Sequence, residues 1–226
     1  MPGAFFIEDL GFATSCGYCA TMIPSAPAFA RLGAAAIGLT ALIALALQTT
    51  INLDRDGSPL VSFVLLLRYF TIWSNLAAGL ILLWVGAGRH AGERVLFALA
   101  TALSVVALVY RALLSADHDP VGLDWWTNLA FHTLIPASAI AWWIAWSDRA
   151  HLTWRSLPLV TPAPVAYTLF ALANGAATGF YPYFFLDLPA LGWGQLVFNI
   201  TGLALFFVLM GVLLLGLRRI MPSARA

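Results

Sequence analysis

The chain has 226 residues, 62% of them apolar and only 9% charged, with a mean hydropathy of +0.89. A soluble globule of this length needs far more polar surface, so a bilayer must cover most of the exterior. The net charge of +1 comes from few charges of mixed sign, which is no footprint for nucleic acid.

Residues 1–30 read as an N-terminal cytoplasmic tail. Its first 21 residues hold Cys16 and Cys19 in a C-G-Y-C pattern ahead of a second methionine, Met22. A redox or metal pair is one reading of that pattern, but a lone CxxC without a βαβ pattern or a second ligand pair is a weak signal. The plainer alternative is a reduced tail or an overlong start. Small residues around Ala44 and Ala46 also admit a cleaved signal peptide over Arg31 to Gln48, which leaves five spans.

Charge and Gly/Pro clusters divide the remainder into six apolar stretches, 31–50, 62–86, 95–116, 125–146, 156–178 and 195–217. Each is near the ~20 residues with which a helix crosses ~30 Å of hydrocarbon. Backbone polar groups in lipid need internal partners, and these runs lack the ~10-residue alternating segments of a membrane barrel. The expected fold is therefore all-α: an integral membrane bundle of six transmembrane helices over 31–217, followed by a basic tail, 218–226.

Arginine supplies all eleven positive charges. Arg31, Arg89, Arg94, Arg149, Arg155, Arg218, Arg219 and Arg225 fall on one side of the six spans, against Arg55, Arg68 and Arg111 toward the other. The positive-inside rule puts the first side, and both termini, in the cytoplasm of a multi-pass protein of the cell's inner (plasma) membrane. Tryptophans such as Trp125, Trp126, Trp146 and Trp193 cluster at span ends, where amphipathic rings prefer to lie.

Polar residues inside the spans are costly and tend to face the bundle interior. Here they are Arg68, Tyr69, Thr71, Ser74 and Asn75 in the second span, Tyr110 and Arg111 ending the third, and Asn128, His132 and Thr133 opening the fourth. Asn174 follows in the fifth and Asn199 in the sixth. At ~1.5 Å per residue all lie within about 5–20 Å of the outer end of their helices, whereas the inner halves are nearly pure Leu, Ala, Val and Ile. Spacings of three and four put Arg68, Thr71 and Asn75 on one helical face and Asn128 and His132 on another.

Thr71 and His132 are thus a candidate nucleophile and base, since a threonine hydroxyl needs a neighbour to take its proton and neutral imidazole suits that near pH 7. Each residue has a plainer role open to it. Thr71 can bond back to its own helix, the asparagines can glue helices together, and Arg68 and Arg111 can snorkel to the interface. His90, His118 and His151 fall in loops and are read as solvated.

The segments Arg68-Tyr69-Phe70-Thr71-Ile72-Trp73-Ser74-Asn75 and Trp126-Thr127-Asn128-Leu129-Ala130-Phe131-His132-Thr133 resemble the bacterial six-pass "Pr-six-Pr" membrane proteins. They are also similar to the animal androgen-induced and androgen-dependent proteins of the same broad superfamily. The resemblance implies an intramembrane threonine hydrolase of fatty acid esters of hydroxy fatty acids, with the threonine at Thr71 and the histidine at His132. The expected reaction is attack by Thr71 Oγ on an ester carbonyl while His132 takes the proton, giving an acyl-threonine that water releases.

Asn75, Asn128, Arg68 or Tyr69 are the candidate oxyanion donors, with Arg111, Asn174 and Asn199 as further substrate contacts. Asn128 is the candidate for orienting the imidazole, because no carboxylate lies within the six stretches. No cofactor and no metal are expected, since one intramembrane histidine falls short of a zinc set or a bis-histidine haem. The expected partner is a membrane lipid or lipid ester. The competing reading, a small transporter or lipid-binding protein using the same polar pocket, requires a polar path to the cytoplasmic side that the apolar inner halves do not offer.

Overall fold

The structure, a computed structural model, describes residues 27–146 and 152–221. The Cys16/Cys19 pair, Arg149, His151 and Arg225 lie outside these residues. All regular elements among the described residues are helical. α1 is Ala28–Ile51, α2 Leu53–Asp56, α3 Pro59–Leu66, α4 Phe70–Gly86 and α5 Glu93–Val109. α6 (Leu123–Leu129) and α7 (Ile135–Trp146) form one continuous rod, followed by α8 (Pro162–Thr178) and α9 (Leu188–Ile220).

Among the described residues, five helical segments are long and apolar enough to cross a membrane: Ala28–Ile51, Glu93–Leu114, Leu123–Trp146, Trp154–Thr178 and Leu188–Ile220. A sixth passes the same test only if a bent pair, α3 and α4 meeting at 106°, is taken as one span. The stretch expected as one spanning helix over 62–86 is thus interrupted. At ~1.5 Å per residue the 17 residues of α4 alone cover about 25 Å.

α1 and α4 pack where small residues let backbones approach. A Cβ on Gly38 would lie 2.9 Å from the Gly79 carbonyl oxygen and from the Leu83 nitrogen, which leaves room for glycine alone. Trp142 of α7 donates its indole N–H to the Ala30 carbonyl at 2.7 Å, tying the start of α1 into the bundle. Ala34, Ala78, Phe97, Leu103, Ile135 and Trp143 are all buried at the centre. Leu32, Leu60, Leu169, Phe198 and Leu205 point outward and are exposed, as a lipid-facing surface requires.

The break at 67–69 contains neither proline nor glycine, and distant aromatic side chains hold it. Trp73 donates its indole N–H to the Leu67 carbonyl at 2.7 Å, and the Tyr167 hydroxyl donates to the Arg68 carbonyl at 2.7 Å. The Tyr183 hydroxyl accepts the Phe70 N–H at 3.1 Å. Each satisfies a backbone group that a helix interruption in a membrane would otherwise leave bare.

Two further irregularities lie at the same end of the bundle. The α5 rod finishes in a π-helical turn, Tyr110–Leu114, and a second π-helical turn, Ala130–Leu134, joins α6 to α7. Such turns shift the side-chain register by a fraction of a turn and recur at functional sites.

Candidate active site

The break and the two π turns converge on Thr71 and His132. Thr71 is the second residue of α4, and its Oγ1 lies 3.5 Å from Nε2 of His132, which sits within the second π turn. The other ring nitrogen is held by Asn128: Nδ1 lies 2.5 Å from Asn128 Oδ1 and 3.1 Å from the Asn128 carbonyl. Asn128 turns its amide nitrogen the other way, donating to the Tyr110 hydroxyl at 2.5 Å. Its Oδ1 therefore faces the imidazole as an acceptor, the proton sits on Nδ1, and the Nε2 lone pair points at Thr71. The side-chain bond between Asn128 and His132 is thus made at helical spacing.

Tyr110 also covers the imidazole, its ring stacked on that of His132 with centroids 3.7 Å apart and planes 16° apart. Its hydroxyl reaches His118 Nδ1 at 3.3 Å, and His118 Nε2 lies 3.9 Å from Asp124 Oδ2. Asp124 accepts from Gln48 at 2.8 Å, and Gln48 in turn accepts from Thr127. His118 is exposed, as expected of a loop residue, and also joins a polar chain that runs from His132 through Asn128 and Tyr110 to Asp124. The fourth span begins at Leu123 rather than 125, which brings Asp124 onto the helix.

Two cavities meet at Thr71. The larger, of about 940 Å³, is bounded by Arg55, Arg68, Tyr69, Tyr110, Asn128 and His132 among others. The smaller, of about 260 Å³, is an apolar cleft between α5, α8 and α9, running from Thr71 along Val106, Val165, Leu203 and Ala204. Thr71, Tyr110, Leu114 and Tyr183 line both. In the larger cavity Arg55 is engaged by Asp56 at 2.8 Å, and the guanidinium holds that carboxyl below its ordinary range. Arg68 stands over the Phe180 ring at 5.1 Å, with no carboxylate within ion-pair distance among the described residues.

Several expected site residues fall elsewhere. Arg68 lies in the break rather than on the face of α4 that carries Thr71 and Asn75. Arg111 is exposed and borders neither cavity, because the π turn that aims Tyr110 inward sends its neighbour out. Asn75 is fully buried and spends its amide on the Thr71 carbonyl at 2.8 Å and the Phe131 carbonyl at 3.3 Å. It pins Thr71 to the His132 helix and has no N–H free for substrate. Asn128 gives one N–H to Tyr110, so of the two asparagines it is Asn75 that has no donor left for an oxyanion.

Asn174 and Asn199 border neither cavity. They donate instead to the Phe180 and Phe185 carbonyls, both at 3.0 Å. These bonds grip both sides of the loop that carries Tyr183. Tyr181 packs its ring onto Gly175, where any Cβ would come within 2.1 Å of it. Tyr183 itself was outside the expected site because it falls between two spans. The one hint in the sequence is the aromatic density of Phe180 to Phe185.

No family model, no curated protein and no solved structure matches this chain.

Proposed function

We propose that the protein is an intramembrane threonine hydrolase of lipid esters, with Thr71 as nucleophile and His132 as base. The observation that carries the reading is the position of His132 Nε2, 3.5 Å from the Thr71 hydroxyl, where an apolar cleft meets a more polar cavity. Apo contacts of this kind tighten on substrate binding. His132 removes the Thr71 proton as Oγ1 attacks the ester carbonyl, then returns it to the departing alcohol. The acyl-threonine is cleared by water, activated by the same nitrogen.

The two cavities suit an amphiphilic ester. Its acyl chain lies in the apolar cleft, its anionic part lies in the larger cavity with Arg68, which has no acidic partner among the described residues, and the ester is held between them at Thr71. A free fatty-acid carboxylate on the alcohol portion satisfies that requirement. It is also what the resemblance of the Arg68–Asn75 and Trp126–Thr133 segments to the animal ester hydrolases implies.

In this reading the chain crosses the membrane six times with both ends in the cytoplasm, and the site opens in the outer leaflet. Among the described residues, Arg31, Arg89, Arg94, Arg155, Arg218 and Arg219 lie toward the end opposite the site, against Arg55, Arg68 and Arg111 toward the site. Thr71→Ala and His132→Ala should each remove most ester hydrolysis, and the double change should cost little more than either, because residues acting as one unit are non-additive. Additive losses would separate the two residues into different roles.

A further inference from the structure

The tetrahedral intermediate of an acyl transfer needs a hydrogen-bond donor for its oxyanion, and Asn75, one turn after Thr71, has already spent both of its N–H groups on carbonyls. Tyr183 offers another donor. It is buried at 9% exposure, lies beside the Thr71 hydroxyl and backbone, and lines both cavities at the point where Thr71 does. Its oxygen accepts the Phe70 N–H at 3.1 Å, a bond made by the first residue of a helix that has no side-chain cap of its own. An accepted bond from the positive end of a helix polarises the phenol and strengthens its O–H as a donor.

We propose that Tyr183 is a catalytic residue whose hydroxyl donates the oxyanion hydrogen bond, an inference that rests on the threonine-hydrolase reading. As Thr71 Oγ1 bonds to the ester carbon, its proton passes to His132 Nε2 and the carbonyl π pair moves onto oxygen. The Tyr183 O–H then donates to that oxygen. No proton leaves Tyr183. Collapse of the adduct restores the carbonyl and expels the alkoxide, which takes the proton held by His132. The same donor serves the second adduct, when water attacks the acyl-threonine.

Surroundings fit the role. Tyr183 stacks on Phe185, with centroids 5.0 Å apart and planes 6° apart, and meets Tyr69 and Tyr167 edge-on. The ring is thus fixed, so little reorganisation accompanies reaction. Burial pushes its phenol above the usual range, which keeps the donated proton in place at any pH the protein meets.

The alternative role for Tyr183 is structural: it caps α4 through the Phe70 N–H and does nothing in the reaction. Fluorination of the ring separates the two, because 3-fluorotyrosine is a stronger donor and a weaker acceptor. The experiment compares the parent protein with Tyr183→Phe and with 3-fluorotyrosine placed at 183, in detergent micelles, on a panel of acyl esters. Donation predicts that Tyr183→Phe lowers kcat by about a hundred- to a thousand-fold with KM within roughly threefold, as for removal of one oxyanion donor. It also predicts that 3-fluorotyrosine matches or exceeds the parent.

Parent-like kcat in Tyr183→Phe overturns the proposal, and so does a slower rate with 3-fluorotyrosine. A parent that hydrolyses no ester of the panel and takes up no alkyl fluorophosphonate at Thr71 overturns the hydrolase reading and this inference together.

Discussion

Tyr110 lies flat against His132, ring over ring at 3.7 Å, while its hydroxyl accepts from the same asparagine that holds the far side of that imidazole. One residue thus fixes the imidazole both by stacking and through Asn128, and both contacts depend on the π turns that place Tyr110 and His132 at one level.

If this arrangement sets the tautomer of His132, Asn128→Ala should slow ester hydrolysis without unfolding the protein. The carbonyl of residue 128 still accepts from Nδ1, so the loss is partial, about 1–2 kcal/mol or roughly five- to thirty-fold in kcat. Tyr110→Phe keeps the ring and should cost less than Tyr110→Ala. Steady-state rates beside melting temperatures check this, and equal losses in the two tyrosine variants would remove the stacking role.

Arg68, but not Arg111, is expected to read a carboxylate on the substrate. Arg68 lines the larger cavity without an acidic partner among the described residues, whereas Arg111 faces outward. Losing such a partly desolvated pair should cost about 2–3 kcal/mol, or roughly thirty- to a hundred-fold in kcat/KM. A free-acid ester should outpace its methyl-capped analogue in the parent and in Arg111→Gln, and lose that advantage in Arg68→Gln. Equal rates on the two esters in the parent would reject the idea.

The apolar cleft should act as a ruler for the acyl chain. Ala204 lines it from α9 and is exposed, so a larger side chain fits there without disturbing the core. Ala204→Phe should leave short-acyl esters hydrolysed at the parent rate and slow long-acyl esters at least tenfold, a discrimination of about 1.4 kcal/mol. A rate-against-length series measures it. Unchanged length preference would place the acyl chain elsewhere.

Topology offers an independent check. Reporter fusions after Arg219 should report cytoplasm, and fusions between Asp117 and Asp124 should report the outside. A C-terminus on the outer side would invert the bundle and put the site in the inner leaflet.

The all-helical membrane bundle was legible in the sequence because apolar runs of spanning length have few alternatives in lipid, and Asn128 and His132 share a helical face by spacing alone. The break before Phe70 was not legible. Leu66 to Tyr69 carry no helix breaker, and the interruption is held by Trp73, Tyr167 and Tyr183, two of them from other spans and loops. Register fails for the same reason in the third span, where a π turn separates inward Tyr110 from outward Arg111. Asn174 and Asn199 looked like site residues because depth along a helix is readable from sequence, but the direction of a side chain around an irregular end is not.

Covalent trapping asks directly whether His132 activates Thr71 as a nucleophile. Purified protein treated with an alkyl fluorophosphonate should carry one phosphonyl adduct on Thr71, found by peptide mass spectrometry, and both Thr71→Ala and His132→Ala should abolish it along with ester hydrolysis. Full turnover by Thr71→Ala, or an adduct at another residue that forms equally without His132, would contradict that activation.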